Sequence, residues 1–286
     1  MKLLLEKCII ILFASFLTYF FSVRLIDKMN LECDYTQLIQ SYTISSSSLT
    51  TSLSDIVGHH TAKKLLLTRI INPIINKHAF DKHSLLVPPN GIIFHGPPGT
   101  GKTMLAKAVC KTLNCTFINF SPSMVENKLF GESGKIVEEL FRFASSHTPC
   151  VIFFDEIDGF FSSRNPLDQS CVTSLKTDML RHMDGIVEKD PSIIFIGATN
   201  KLQSLDKALL RRMKTHINIP LPDYNERIQL FSHFLKTDLD FSKISSSTDG
   251  YSGSDIHELC KDIAYASFDG SSLCITQSSL DSVKPS

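Results

Sequence analysis

The chain has 286 residues, and its 29 basic and 29 acidic side chains leave no formal net charge. That length buries a substantial core and allows one large domain beside a smaller one. The neutral balance supplies no polyanion-binding surface, so no nucleic-acid partner is expected.

The N-terminal stretch is the first element. Cys8 to Val23 is uncharged, and apolar apart from Ser15 and Thr18. As a helix it would reach about 24 Å, somewhat short of a hydrocarbon core of roughly 30 Å. Leu3 to Leu5 and Leu25-Ile26 lengthen it, and Lys7 and Arg24 can extend their charges to the interfaces. Tyr19 and the phenylalanines near the distal end suit an interfacial belt. The sequence TYFFSVR offers no small-residue cleavage site. Residues 1–26 are therefore expected to form a single transmembrane anchor, with residues 8–26 in the bilayer; a cleaved signal and a buried helix are the alternatives. The flanking charges are symmetric (Lys2 and Lys7 against Glu6, Arg24 and Lys28 against Asp27), so they do not set an orientation.

Residues 27–53 are polar and end in TISSSSLTTS, which reads as a linker or weakly ordered arm. Beyond Asp55, short apolar runs alternate with helical patterns. The expected strands are 91–95, 116–120, 151–155, 193–198 and 216–219. All but the last are nearly continuous apolar runs, as strands covered on both faces should be. The expected helices are 101–113, 135–145, 170–183 and 206–213. This alternation specifies an α/β fold with a parallel sheet flanked by helices. After Pro220-Leu221-Pro222 only helical pattern remains, at 225–236 and 254–266. The expected division is thus a large domain over 54–220 and a small helical domain over 221–286.

Chemistry enters with GIIFHGPPGTGKT. A strand, then Gly96, Pro97, Pro98, Gly99, Thr100, Gly101, Lys102 and Thr103, then a helix opening at Met104, is the P-loop pattern in its proper setting. The glycines let successive N–H groups turn inward towards phosphate oxygens, and the helix N-terminus adds partial positive charge. Lys102 is expected on the β- and γ-phosphates of ATP and Thr103 on Mg²⁺. The run CVIFFDEID then places carboxylates at the end of a buried strand, where open α/β sheets bind ligands. Asp155 is the candidate for holding Mg²⁺ through water, and Glu156 for polarising the attacking water. Solvated charges at a strand exit are the bland alternative. Asn200, after IGAT, could orient that water or serve as an ordinary turn residue.

The eight cysteines (Cys8, Cys33, Cys110, Cys115, Cys150, Cys171, Cys260, Cys274) show no CxxC pair and no metal-ligand spacing with histidine. They read as reduced thiols acting as small core hydrophobes, which suits a reducing compartment. His59-His60 is not a metal site by this reading, because adjacent side chains converge poorly on one ion.

Gly96 to Thr103, DEID at 155–158, ATN at 198–200, LLRRM at 209–213 and YSGSD at 251–255 occur in the order found in AAA ATPases. The resemblance runs from about Asp55 to the end of the chain. Within that family SLLVPPNGIIFHGPPGTGKTMLAKAV, CTFINFSPS, FGES and ALLRRM are similar to the membrane-anchored AAA proteins of the mitochondrial outer membrane, which extract mislocalised tail-anchored proteins and share a clade with katanin and spastin. The resemblance implies a homohexamer with ATP between subunits. It makes Arg211 and Arg212 an arginine-finger pair, where a basic helix end is the local alternative. It sets Asp55, Ile56 and Gly58 beside the adenine, and Gly253 and Ser254 at the small-domain edge of the pocket. It makes Leu129, Phe130 and Gly131 a pore loop that grips client protein, where an apolar core pair is the alternative. It also implies a single-pass protein of the mitochondrial, or mitochondrion-derived, outer membrane, or else of the peroxisome, with its ATPase in the cytosol.

The chain departs from this branch at three points. Leu129-Phe130 stands where the branch has two aromatics, and Lys214-Thr215-His216-Ile217 where it reads Pro-Thr-Arg-Phe. The last helical pattern stops early, at Asp269-Gly270. The competing functional readings are a microtubule- or filament-remodelling AAA ATPase and a nucleotide-binding scaffold that does not hydrolyse. The neutral linker offers no basic tract for tubulin, and a scaffold has no need of Glu156.

Overall fold

The computed structural model describes residues 35–76, 89–121, 133–162, 170–187, 192–237, 239–268, 275–277 and 280. The expected anchor at 1–26 and the expected pore loop at Leu129, Phe130 and Gly131 lie outside them. Among the described residues no helix is long and apolar enough to cross a membrane.

A six-stranded sheet organises the large domain. Its strands are β1 (Thr43–Ile44), β2 (Gly91–His95), β3 (Thr116–Phe120), β4 (Cys150–Phe154), β5 (Ile193–Thr199) and β6 (Thr215–Asn218), in the order β1-β3-β4-β5-β2-β6. Strands β2 to β6 pair in parallel, as their two-sided apolar runs require. The edge strand β1 pairs antiparallel with β3, so the sheet is mixed rather than purely parallel.

Alternate residues of each strand feed separate cores on the two faces of the sheet. Ile93, Ile118, Phe120, Ile152, Phe154 and Phe195 pack under α4 (Ser133–Ser146), α5 (Ile157–Phe161), α6 (Ser170–Val187) and α7 (Lys207–Arg212). Ile92, Phe94, Phe117, Phe153 and Ile196 pack under α2 (His60–Leu66, carried on through a π turn at Leu67–Ile71) and α3 (Lys102–Leu113). Tryptophan is absent and phenylalanine supplies the bulk, with rings in contact between neighbouring strands: Phe117 and Phe153 lie 5.6 Å apart, and Phe120 and Phe154 5.3 Å. A third core sits in the small domain, where Phe231 and Leu235 of α8 (Tyr224–Leu235) meet Ile244 of α9 (Ser242–Ser247) and Ile256 and Ile263 of α10 (Gly253–Ala266). Cys110, Cys115, Cys150 and Cys260 are buried free thiols, and burial pushes the Cys260 thiol up to about 12.

The linker expected over 27–53 is corrected from Tyr35 onward. Residues 35–41 form a helix, α1, whose Tyr35 and Ile39 are buried, and β1 follows it onto the sheet edge. Asn119 N–H donates to the Tyr42 carbonyl at 3.0 Å. Thr36 Oγ1 donates to Glu139 Oε1 at 2.5 Å, and the Arg142 guanidinium grips the same carboxylate at 2.6 Å. Burial pushes the Glu139 carboxyl up, but the hydrogen bonds from Arg142 and Thr36 outweigh it and hold the group below its usual range. The polar composition of this stretch conceals two facts: a few apolar side chains suffice when a core already exists to receive them, and a bare sheet edge attracts extended chain. Truncating Ile39 should therefore act as a core mutation. Ile39→Ala is expected to lower unfolding stability by about 2–5 kcal/mol, read as an earlier urea midpoint; a true linker residue would leave the midpoint unmoved.

Candidate functional site

Strand order creates the site. β5 lies between β4 and β2, and the register pairs His95 with Thr199 and Phe154 with Gly197. The three strands therefore end almost level at their C-terminal edge. Gly96, Asp155 and Asn200 leave the sheet side by side, at the crevice where open parallel sheets place ligands.

From Gly96 to Thr103 the backbone folds into an arch that runs into α3. Lys102 is 9% exposed, and its Nζ donates to the carbonyls of Gly96 at 2.9 Å and Pro97 at 2.7 Å. Those two bonds hold the ammonium within the arch and leave one of its three donors. Burial pushes the Lys102 ammonium below its usual range, and Asp155 and Asp158 pull it back. Thr100 Oγ1 also donates to the Pro97 carbonyl, at 2.9 Å. Thr103 Oγ1 donates to Asp155 Oδ2 at 2.9 Å, so the hydroxyl and the carboxylate already face a common point. The Glu156 N–H bonds the other Asp155 oxygen at 3.1 Å. Glu156 itself stands in the left-handed region at φ 48° with its side chain exposed, which turns the chain sharply from β4 into α5. Thr199 Oγ1 donates to Asp158 at 2.6 Å and accepts from the Lys201 N–H at 2.9 Å. Those two bonds shape the turn that carries Asn200.

The small domain closes the cleft from above. Ser252 and Asp255 form a reciprocal capping box that starts α10. Its first turn reaches the P-loop: the Gly99 carbonyl accepts from Ser254 N at 3.1 Å and from Ser254 Oγ at 3.3 Å. Gly99 has φ +72°, and a Cβ there would stand 2.4 Å from Ser252 Oγ, so only glycine permits this approach. A second tie runs through Glu226 of α8. Its Oε1 accepts from the His59 N–H at 2.8 Å and its Oε2 from the Asp223 N–H at 3.1 Å. His59 Nε2 lies 3.0 Å from the Thr100 carbonyl. A carbonyl only accepts, so Nε2 carries the proton and Nδ1, buried without a partner among the described residues, is left as an acceptor at the cleft wall. Burial holds the His59 imidazole below its usual range, although Glu226 opposes this.

The resulting cleft has a volume of about 620 Å³. Ile56, Pro98, Gly99, Thr100, Gly101, Lys102, Thr103, Met104, Asp155, Glu156, Asn200, Gly253 and Ser254 all line it, so these candidates come together. Gly96 and Pro97 stand behind the arch and offer carbonyls to Lys102. Asp55 turns away: its carboxylate caps the Ser52 N–H at 2.7 Å, and that bond holds it below its usual range. Gly58 sits beneath the Glu226 carboxylate. Arg211 and Arg212, on α7, are absent from the cleft wall. Sequence reasoning missed the lid side, where Glu226, Leu230 and Phe234 recur every fourth residue along one face of α8, and Val57, His59 and His257, which also line the cleft. The spacing is readable, but whether that face looks inward to the small-domain core or down at the P-loop is not.

The cleft fits a magnesium nucleotide. An arch of backbone with a buried ammonium suits phosphates, the Thr103–Asp155 pair suits a hard cation, and Leu230 and Phe234 opposite Ile56 make an apolar slot for a flat base. A profile of the ATPase family associated with various cellular activities (AAA) matches residues 92–221, and one of the AAA+ lid domain matches 238–282. The human outer mitochondrial transmembrane helix translocase is 36% identical over 237 residues, covering 81% of this chain and 66% of its own length. An A-like katanin p60 ATPase protein of Xenopus tropicalis is 38% identical over 224 residues, covering 73% of this chain and 41% of its own. The solved FIGL-1 AAA domain in complex with ADP superimposes with TM-score 0.73 at 31% identity, over 87% of this chain and 88% of that one.

Two outcomes test the lid contacts. Gly58 has φ +69°, and a Cβ on it would lie 2.4 Å from Glu226 Oε1. Gly58→Ala should lower stability by about 1–2 kcal/mol from the left-handed backbone alone, and should shrink the ATP-induced rise in melting temperature by displacing Glu226. The second test is pH. As pH falls through about 6.5 the unfolded chain protonates His59 while the folded chain resists, so the contribution of this group is complete above that value and lost below it. Between about pH 7 and 5 the melting temperature should fall more steeply for the wild type than for His59→Gln, which keeps a donor for Thr100.

Proposed function

The chain belongs to the AAA ATPase family, and on that premise we propose that it hydrolyses ATP to draw membrane proteins out of the bilayer that holds its own N-terminal anchor. The observation that carries the hydrolytic half of this reading is the 2.9 Å bond between Thr103 and Asp155, with Glu156 next along the chain. It joins a phosphate-binding loop to a carboxylate placed to activate water at the end of β4.

In this mechanism the P-loop N–H groups and Lys102 bind and orient the β- and γ-phosphates. Mg²⁺, held by Thr103 directly and by Asp155 through water, would neutralise charge on those phosphates. Glu156 accepts a proton from the attacking water, which Asn200 orients through the turn built by Thr199 and Asp158. The oxygen of that water bonds to the γ-phosphorus as the bond to the β–γ bridging oxygen breaks, and ADP leaves. Ser254 and Glu226 join the small domain to the loop and to the segment beside the base, so exchange of ATP for ADP is communicated to the lid. Arg211 and Arg212 lie outside their own cleft and act on the nucleotide of a neighbouring copy in a ring of six.

The membrane half of the reading rests on two supports. Cys8 to Val23 is long and apolar enough to hold the chain at a bilayer, and the chain is similar to translocases named for acting on transmembrane helices in the outer mitochondrial membrane. The client then enters the ring through the loop at Leu129, Phe130 and Gly131, with tail-anchored proteins as its class and the cytosol as the ATPase compartment. The katanin-like relative favours a second reading, a remodeller of microtubules.

Glu156→Gln should reduce ATP turnover of the full-length chain by about 10²–10⁴-fold while leaving ATP bound. Wild-type turnover no faster than this variant would end the hydrolytic reading. Pull-down with the same variant from solubilised membranes should recover proteins with a single C-terminal span; tubulin in their place would select the second reading.

A further inference from the structure

The two adjacent arginines of α7 have different surroundings. Arg212 is 25% exposed, and its Nε and Nη2 grip both oxygens of Asp184 on α6, at 2.7 and 2.5 Å. Its Nη1 turns back onto the Ala208 carbonyl at 2.8 Å. This is a fork-to-carboxylate pairing, the geometry that only arginine makes and the least readily given up. Electrostatics favour it twice over. Asp184 lies in the last turn of α6, where the helix dipole disfavours a carboxylate, and the guanidinium offsets both that charge and the carbonyl end of its own helix. Arg211 lies about 100° further round the helix. It is exposed and makes no hydrogen bond or ion pair among the described residues.

α7 is short, yet it is held along its whole length. Asp206 caps its start, accepting from the Ala208 N–H at 2.8 Å, while the Asp206 N–H donates to the Phe161 carbonyl at 2.8 Å. Leu209 and, just past its end, Met213 are fully buried in the core beneath it. The Asp184–Arg212 clamp is what fixes its last turn.

We propose that Asp184 is a positioning residue for hydrolysis: by clamping Arg212 within its own protomer it orients the end of α7 so that Arg211 alone is presented to the neighbouring nucleotide. This deepens the trans-acting role given above to the arginine pair and rests on that reading. It divides the pair into one arginine that meets phosphate and one that aims it. A fixed guanidinium stabilises developing charge without reorganising, whereas a swinging one must be ordered first.

The test compares ATP turnover by the full-length chain, in detergent, across five variants. Arg211→Ala should lose about 10³-fold or more in kcat, as expected for the loss of an arginine finger. Asp184→Ala and Arg212→Ala should each lose a similar and smaller factor in kcat with KM for ATP unchanged. The double variant Asp184→Ala/Arg212→Ala should be no worse than either single change, because both break one interaction. The exchanged pair, Asp184→Arg with Arg212→Asp, should recover most of the loss by restoring the clamp with no arginine at 212. The proposal is overturned if Asp184→Ala turns over like the wild type while Arg212→Ala falls as far as Arg211→Ala, or if the exchanged pair stays as slow as Arg212→Ala although its melting temperature matches the wild type. If the wild type itself is no faster than Glu156→Gln, it is the hydrolytic reading that fails and not this division of labour.

Discussion

Three parallel strands ending level beside one another are the constraint on which the rest depends. With β5 between β2 and β4, the P-loop, the Asp155-Glu156 turn and the Asn200 turn emerge together. A shift of one residue in either pairing would turn the strand's buried side chains to the wrong face. The registry that buries Phe94, Phe153 and Ile196 is thus the same registry that lets Thr103 reach Asp155. Core packing and active-site geometry are here one requirement, and the two-sided burial of these strands makes that requirement strict.

On this rigid edge the small domain rests by few contacts. Ser254 on Gly99 and Glu226 on His59 are hydrogen bonds that join it to the cleft floor, and both end on the backbone of segments that would touch the nucleotide. A lid held by so few bonds can respond to what the cleft contains, because each bond contributes only about 1 kcal/mol net, or somewhat more where a carboxylate accepts. The core of the lid, built round Phe231, Ile256 and Ile263, is separate from the cores beneath the sheet, so it can move as a body. The N-terminal strap is attached differently. β1 adds to the sheet through the backbone, and Thr36 joins the Glu139–Arg142 pair on α4. Any load carried by the chain ahead of Tyr35 therefore arrives at β3 and α4, on the opposite side of the sheet from the lid's hold on the P-loop.

Particular residues show how far the sequence can be read. Gly96 to Thr103, Asp155 and Glu156 are legible because their function demands a local pattern: a strand, a tight glycine turn and a helix start, or carboxylates at the end of an apolar run. The five parallel strands are legible for the same kind of reason, since β-type runs with no polar face have only one setting. Asp55 illustrates the opposite case. Resemblance sets it beside the adenine, yet its carboxylate serves the Ser52 turn, and the neighbouring wall of the cleft is formed by Ile56, Val57 and His59 instead. The stretch from Tyr35 to Ser48 reads as linker because polar composition describes what a segment can bury alone, and this one borrows a core made by others.

By itself, then, the sequence determined the α/β alternation, the phosphate loop, the carboxylates and the thiols as buried apolar fillers, because each depends on residues close together in the chain. Only the tertiary structure decided that the sheet takes an antiparallel edge strand, that Glu226, Leu230 and Phe234 look down on the P-loop, that Asp158 supports the Asn200 turn, and that Arg212 is bound to Asp184 while Arg211 is not. Those are contacts between residues tens or hundreds of positions apart. Their partners are chosen by which faces remain after the cores have packed, and a periodicity that says a face exists cannot say what it will meet.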